Sequence, residues 1–326
     1  MTLRWGILGT ARINRRLIPA IRLAPRSTLV AVASRTRARA DAYAAEWHIP
    51  AAVAGYQTLL DDPAIDAVYI PLPNSEHVPW TLAAVAAGKH VLCEKPMALD
   101  PADVERIRVA ATAAKVVVEE GYMYRHEPLT GKVLELVQGG ALGTVRAIIS
   151  GFTFALTDEA NPRLDPKLGG GSLWDIGCYP VTYARLLTGR DPKMVFGSAH
   201  WHRSGVDEEF MGMLRFPGGT TATIYSGFRA ALRTWLEVIG SEGSLTVPNP
   251  FKPGIRETLE LERDGRIEAI AVAGSPELFV KQIEHFENSA LDGAPSVVTL
   301  ADSRHAAAML SALLDSARDS AALYPE

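Results

Sequence analysis

Cysteine is almost missing from this chain: Cys93 and Cys178 are the two thiols among 326 residues. Neither sits at metal-finger spacing, so nothing here supports a structural metal site or a disulfide-stapled scaffold, and two buried thiols in a reducing compartment are the expectation. No stretch approaches the roughly twenty consecutive apolar residues that a membrane span requires. The early run Trp5–Thr10 is too short and too near the start to be the apolar region of a signal peptide, which points to a soluble, cytoplasmic protein. Positive charge is not in excess: the formal net charge is −4, which gives no electrostatic case for binding nucleic acid or an anionic membrane. Internal repeats and low-complexity linkers are also lacking.

What remains is ordinary globular composition, 48% hydrophobic and 21% charged, in a chain long enough for two domains. The first 120 or so residues alternate short apolar runs with helical patterns. Strands are predicted at Leu3–Leu8, Leu29–Ala33, Ala67–Ile70, His90–Cys93 and Val116–Val118, with helices between them over Thr36–Trp47, Ser75–Ala87 and Pro101–Ala114. That alternation predicts a parallel sheet covered on both faces. Pro19 and Pro79 fall inside helical patterns, where they would kink them. After Tyr122, a helix over Pro128–Gln138 gives way to strands at Val145–Leu156, Met194–Trp201, Met211–Phe216, Thr220–Ser226, Trp235–Ile239 and Ser244–Val247. Short turns such as Pro217-Gly218-Gly219 join them and predict an antiparallel sheet. One helix, Ser172–Leu187, interrupts the strands, and two more, Pro276–Ala290 and Leu300–Ala317, close the chain. The predicted domains are 1–122 and 123–326, with the last helix a candidate for packing back on the first domain.

Gly6-Ile7-Leu8-Gly9-Thr10-Ala11-Arg12-Ile13-Asn14 lies at the first strand-to-helix junction. A dinucleotide fold needs close backbone approach to a pyrophosphate there, with free helix amides to meet the anion. The glycine fingerprint is broken, since Ala11 and Asn14 stand at its second and third positions; a tight turn without a ligand would look similar. The second strand ends Ala33-Ser34-Arg35, with Arg37 and Arg39 close behind and no acid before Asp41. A carboxylate there would bind ribose hydroxyls and repel a 2′-phosphate, whereas Ser34 and Arg35 would accept that phosphate. NADP is therefore preferred to NAD as the expected cofactor.

Two further segments suggest chemistry. Lys95 follows the strand His90–Cys93, and Pro96 rigidifies its backbone and is a candidate for a cis peptide bond. Asp175 and Tyr179 are four residues apart, which on a regular helix puts both on one face, although Pro180 cannot donate to the Ile176 carbonyl and should make that helix irregular. Pro71, Leu72, Asn74 and His77 follow the third strand, where open α/β sheets bind ligands; a helix cap alone would account for Asn74 or Ser75. Phe152, Tyr124, Trp174 and Trp201 suit either a sugar-binding wall or the core. Arg125, His126 and Arg163 suit either a polar ligand or the surface.

Taken together, Trp5–Arg12, Pro25–Arg35, Ile70–His77, Gly88–Pro96, Glu119–Arg125, Gly169–Gly189 and Leu236–Leu245 resemble the glucose–fructose oxidoreductase/inositol dehydrogenase family, Gfo/Idh/MocA. The pairing of Glu94-Lys95-Pro96 with Asp175 and Tyr179 is the most specific part of the resemblance. Tyrosine at 179, where many members carry histidine, resembles the branch with dimeric dihydrodiol dehydrogenase and NADP-dependent xylose dehydrogenase; Ala11 resembles variants of the glycine motif in the same branch. The resemblance implies an α/β Rossmann domain followed by a C-terminal α+β domain with a large, mainly antiparallel open sheet, and homodimers or homotetramers formed through that sheet. It implies a nicotinamide cofactor held by Gly9, Thr10, Ala11, Arg12, Ile13, Ser34, Arg35, Arg39, Pro71, Leu72, Asn74, His77, Glu94, Lys95, Tyr122 and Arg125. It further implies catalysis by Lys95 and Tyr179, with Asp175 orienting a substrate hydroxyl. The expected function is an NADP-dependent oxidoreductase acting on a sugar, polyol or cyclic diol, a neutral aldose or polyol being preferred to a phosphosugar. A catalytically silent NADP-binding sensor of the same fold is the alternative, and reduction of a C=C or C=N bond a more distant one.

A charge-assisted hydrogen bond contributes roughly 1.5–3 kcal/mol. Arg35→Ala is therefore expected to weaken NADPH binding about ten- to a hundredfold in a fluorescence titration, leaving NADH binding nearly unchanged; equal losses for both would contradict the assignment.

Overall fold

The computed structural model describes residues 1–324. They divide into two compact units: Met1–His126 with Pro276–Arg304, and Glu127–Ser275 with the chain from His305 onward. In chain order, β1 (Leu3–Leu8), α1 (Asn14–Leu23), β2 (Ser27–Ser34), α2 (Arg37–Trp47), β3 (Ala51–Ala54) and α3 (Tyr56–Leu60) come first. They are followed by β4 (Ala67–Ile70), α4 (Asn74–Ala86), β5 (His90–Cys93), α5 (Pro101–Ala114) and β6 (Val118–Glu120). Next come α6 (Pro128–Gln138), β7 (Val145–Thr153), a π turn at Leu173–Gly177 running into α7 (Cys178–Thr188), β8 (Met194–Trp201) and β9 (Asp207–Arg215). The rest is β10 (Thr221–Gly227), β11 (Arg233–Gly240), β12 (Gly243–Val247), β13 (Arg256–Arg263), β14 (Arg266–Ala273), α8 (Val280–Asp292) and α9 (Leu300–Asp319).

In the first unit six parallel strands run in the order β3-β2-β1-β4-β5-β6. This is the doubly wound order of dinucleotide-binding folds. β4 is buried throughout and β1 at all but Arg4, which is why both read as unbroken apolar runs. Trp5 is fully buried with its ring 5.0 Å from that of Phe286 on α8, so a segment late in the sequence completes this core. Local signals set the helix ends: Asp100 caps α5 by accepting the Ala102 N–H at 2.8 Å, Pro101 opens the helix, and left-handed Lys115 closes it.

The second unit carries an eight-stranded sheet in the order β14-β13-β12-β11-β7-β10-β9-β8. β10 lies parallel to β7, and every other adjacent pair is antiparallel. Along β9, Phe210, Gly212 and Leu214 are buried while Met211 and Met213 face outward. The register places Phe196, Met213, Thr223 and Ile149 side by side across four strands, so the outward face holds a row of three apolar side chains and a threonine.

Several sequence-based expectations change. Both helices run through their prolines, Pro19 and Pro79. Pro73, not Asn74 or Ser75, is the N-cap of α4 and makes no side-chain cap bond. The last strand of the first sheet begins at Val118, not Val116, and takes in Glu119 and Glu120 as buried residues. β3, α3, β13 and β14 lie outside the predicted elements. The β13–β14 hairpin turns on Asp264-Gly265, both at positive φ (50° and 70°), a signal present in the sequence. Its strands escaped notice because β14 is almost entirely exposed and shows no buried stripe.

Candidate active site

In the first unit, the register aligns Ile70, Cys93 and Glu120 on three neighbouring strands, so the segments beginning at Pro71, Glu94 and Gly121 leave the sheet at one edge. The turn after β1 reaches the same edge. Gly9 has φ 107° there, and a Cβ at that position would stand 2.9 Å from Leu72 Cδ2; the turn is open only without a side chain. Its carbonyl accepts from buried Asn14 Nδ2 at 3.0 Å, and Thr10 Oγ1 accepts from Arg39 Nε at 2.7 Å, so the loop is tied to the ends of α1 and α2. Ser34 is buried at the end of β2, whereas Arg35 and Arg12 are exposed. Both Arg35 and Arg39 bear electrostatically on Tyr56, whose phenol is raised by burial and lowered by these two cations. A side-chain-free turn, a helix start and unopposed guanidinium groups fit a nicotinamide dinucleotide, with the pyrophosphate at the turn and the ribose beside the guanidinium groups.

Lys95 stands half-buried at the end of β5, and the Lys95–Pro96 bond is cis. Glu94 accepts the Tyr69 hydroxyl at 2.6 Å. His77 is buried, its Nδ1 2.7 Å from the Pro96 carbonyl oxygen and its Nε2 2.8 Å from that of Leu72. Burial holds this imidazole down to about 4 against the two carbonyl oxygens, which favour its protonated form; the neutral ring has one N–H and donates to only one of them. Tyr122 is buried edge-on against fully buried Tyr124. The Arg125 guanidinium donates to the Val297 carbonyl at 3.2 Å and lies 3.9 Å from Asp302. His126 lies 3.1 Å from Glu119, both side chains wholly buried.

In the second unit, Asp175 lies in the π turn and Tyr179 in the first turn of α7, so their spacing is not that of one regular helix face. The irregularity falls where Pro180 removes the donor to Ile176. Asp175 pairs with Arg163 Nε at 2.5 Å, and that pairing, with a further pull from Tyr179, raises the guanidinium; all three groups thus sit in one electrostatic environment. The Tyr179 ring is buried against Phe152 (5.6 Å) and Phe251 (5.4 Å), which stack on each other at 5.9 Å, and the Lys252 ammonium lies 4.8 Å above the Phe152 ring. Trp174 is buried and Trp201 partly exposed at the end of β8.

Asp207, Phe251, Lys252 and Glu120 were not among the expected site residues. Asp207 accepts the Leu173 N–H at 2.7 Å and the Ser172 hydroxyl at 2.8 Å, fastening the start of the π turn. Gly171 lies against it: a Cβ there would come within 2.2 Å of Asp207 Oδ1. Nothing in the pattern around Asp207 marks it, because it opens a strand remote in sequence from the turn it holds. Among the described residues, no group of three or more His, Cys, Asp or Glu side chains is arranged to hold a metal ion, and no helix is long and apolar enough to cross a membrane.

The two units match two halves of one family. The sequence profile of the oxidoreductase family with an NAD-binding Rossmann fold covers residues 3–122, and that of the Gfo/Idh/MocA C-terminal domain covers residues 131–246. The chain therefore belongs to the Gfo/Idh/MocA family of oxidoreductases. It is 36% identical to D-xylose 1-dehydrogenase (NADP(+)) 2 of Haloferax volcanii over 98% of each chain. Aldose–aldose oxidoreductase from Caulobacter crescentus, solved with glycerol, superimposes with a TM-score of 0.92 at 30% identity, covering 99% of this chain and all of that one. A 3-ketoreductase from Actinomadura kijaniata, solved with NADP and TDP-benzene, gives 0.91 at 30% identity over 97% of this chain and 98% of that one.

Burial raises the Asp207 carboxyl from its ordinary 3.8 to about 6 despite its two donors. The fold therefore favours the neutral acid: that contribution is complete below about pH 4 and lost as pH rises through 6, a difference of roughly 3 kcal/mol. Asp207→Asn is expected to gain in melting temperature relative to the parent between pH 4 and pH 8. A pH-independent difference would show that the carboxyl is not desolvated.

Proposed function

We propose that this chain is an NADP-dependent dehydrogenase or reductase that moves a hydride between the nicotinamide and a carbinol or carbonyl carbon of an aldose, polyol or cyclic diol. The observation that carries the reading is Tyr179: a phenol packed against two stacked aromatic rings beside the Asp175–Arg163 pair, in a chain whose Rossmann unit presents Lys95 at a strand end. Bound NADP would supply the hydride acceptor at nicotinamide C4. Tyr179 takes the hydroxyl proton as the carbinol carbon gives up its hydride, and returns it when the carbonyl is reduced. A free tyrosine titrates near 10; Lys95 is assigned to the same reaction, in which a cation favours the phenolate and brings it nearer working pH. Asp175, braced by Arg163, orients the hydroxyl. Ser34, Arg35 and Arg39, with no carboxylate between them and Asp41, favour a 2′-phosphate, and the NADP named for two of the relatives supports that choice.

The Arg163 charge is committed to Asp175, which favours a neutral sugar over a phosphorylated one. The row Phe196, Met213, Thr223 and Ile149 on the open face of the eight-stranded sheet supports assembly into a homodimer or homotetramer through that face. A double variant, Ile149→Glu with Met213→Glu, is expected to run as a monomer in light scattering; an unchanged mass would remove the sheet face from the interface.

Nicotinamide absorbance followed with NADP+ against aldoses, inositols, cyclic diols and a TDP-sugar tests the activity. Tyr179→Phe should cut turnover about 10²–10⁴-fold with NADPH binding intact. A variant with near-parental turnover would refute the tyrosine's role. Tight NADPH binding without turnover on any member of the panel would favour the silent sensor.

A further inference from the structure

The segment that carries Lys95 is gripped through a single peptide group. His77 Nδ1 stands 2.7 Å from the Pro96 carbonyl oxygen, and Glu120 Oε1 accepts the Met97 N–H at 2.8 Å. Carbonyl and amide belong to the same peptide, so one side chain holds each of its poles. Both side chains are interior, His77 1% and Glu120 2% exposed. Its other nitrogen stands 2.8 Å from the Leu72 carbonyl oxygen in the loop after β4, so the ring lies between the two loops and, when neutral, donates to one of the two carbonyls. The last strand closes in from the opposite side: the Gly121 N–H donates to the Cys93 carbonyl at 2.7 Å, and a Cβ on Gly121 would meet that oxygen at 3.2 Å.

A carboxyl group this deeply buried is costly unless charge or hydrogen bonds offset its desolvation. The groups facing Glu120 are the Met97 amide, Ser303 at the start of α9, Cys93, and Glu94 and Lys95 at the end of β5. Lys95 is the one cation among them. Burial pushes the Glu120 carboxyl up to about 7, with Glu94 adding to the rise and Lys95 opposing it. Electrostatic coupling is reciprocal, so the Glu120 carboxylate favours the ammonium form of Lys95 as much as Lys95 favours the carboxylate.

We propose that Glu120 is a positioning residue for Lys95: it fixes the lysine's backbone through the Met97 amide, against His77 on the other pole of the same peptide, and supplies the negative charge that keeps the amine protonated. The inference rests on the reading of Lys95 as part of the reaction. Its first test needs no substrate. The free amine, not the ammonium, reacts with acetic anhydride, so the pH dependence of Lys95 acetylation, read on its peptide by mass spectrometry, gives the midpoint of this lysine. Glu120→Gln keeps an acceptor for the Met97 N–H while removing the charge, and is expected to lower the midpoint by about one pH unit. Glu120→Asp keeps the charge and is expected to stay near the parent, which separates the electrostatic role from a packing role and provides a second variant should the first fold poorly. A midpoint unmoved by Glu120→Gln, or moved equally by both variants, would overturn the proposal.

A second measurement uses NADP+ and D-xylose with Lys95→Met. The proposal expects Glu120→Gln to lower kcat about tenfold in the parent and to have no further effect once Lys95 is gone; additive losses would overturn it. Undiminished turnover in Lys95→Met alone would instead defeat the catalytic reading of Lys95, while the acetylation midpoint would still decide the coupling.

Discussion

Parallel strands can be joined only by a crossover that returns the chain to its starting end. In the first unit, every strand therefore delivers its carboxyl end to the same edge, and all the polar chemistry described there sits on that edge. The row Ile70, Cys93 and Glu120 shows how tightly the constraint acts. Because these three residues are locked side by side by β4–β5 and β5–β6 pairing, the loops that follow them must emerge together. His77 can then lie between two of those loops, and Glu120 can hold the fourth residue beyond its neighbouring strand. A slip of one residue in β6 would turn Glu120 to the opposite face of the sheet.

Much of this was legible beforehand, for identifiable reasons. Leu3–Leu8, Ala67–Ile70 and His90–Cys93 are strands in which hydrophobicity, length and flanking turn residues all agree, and each was placed without error. The absence of an acid behind Ser34 could be read directly, since it depends on residue type and not on packing. Lys95 and Tyr179 are singled out by the combination of segments and not by either segment alone, and their roles belong to the proposal. Asp207 was illegible because it acts on a turn more than thirty residues earlier, a contact that periodicity cannot encode.

The instructive failure is at Glu119 and Glu120. Two consecutive acids ordinarily mark the end of a buried strand, and the predicted strand stops at Val118; in the fold Glu119 and Glu120 are among its most deeply buried residues. Local rules give way at Glu120 because its buried carboxyl has a backbone amide and a nearby lysine; Glu119 lies 3.1 Å from His126. The same holds for Asp207, whose desolvation is tolerated because it anchors a turn that would otherwise have unsatisfied donors.

The π turn at Leu173–Gly177 contains one residue more than the α-helical turn it replaces. Removing a residue there would let the segment relax to regular helix and would change the heading of whatever precedes it by about 100° relative to α7. Asp175 and Tyr179 would part company, and the Ser172 and Leu173 bonds to Asp207 would be disturbed with them, while the sheet and the aromatic bed of Tyr179 stayed as they are. The mutual heading of these two side chains is thus separable from the fold by a single codon. Insertions and deletions, rather than point changes, are the lesions to which this part of the molecule is most exposed.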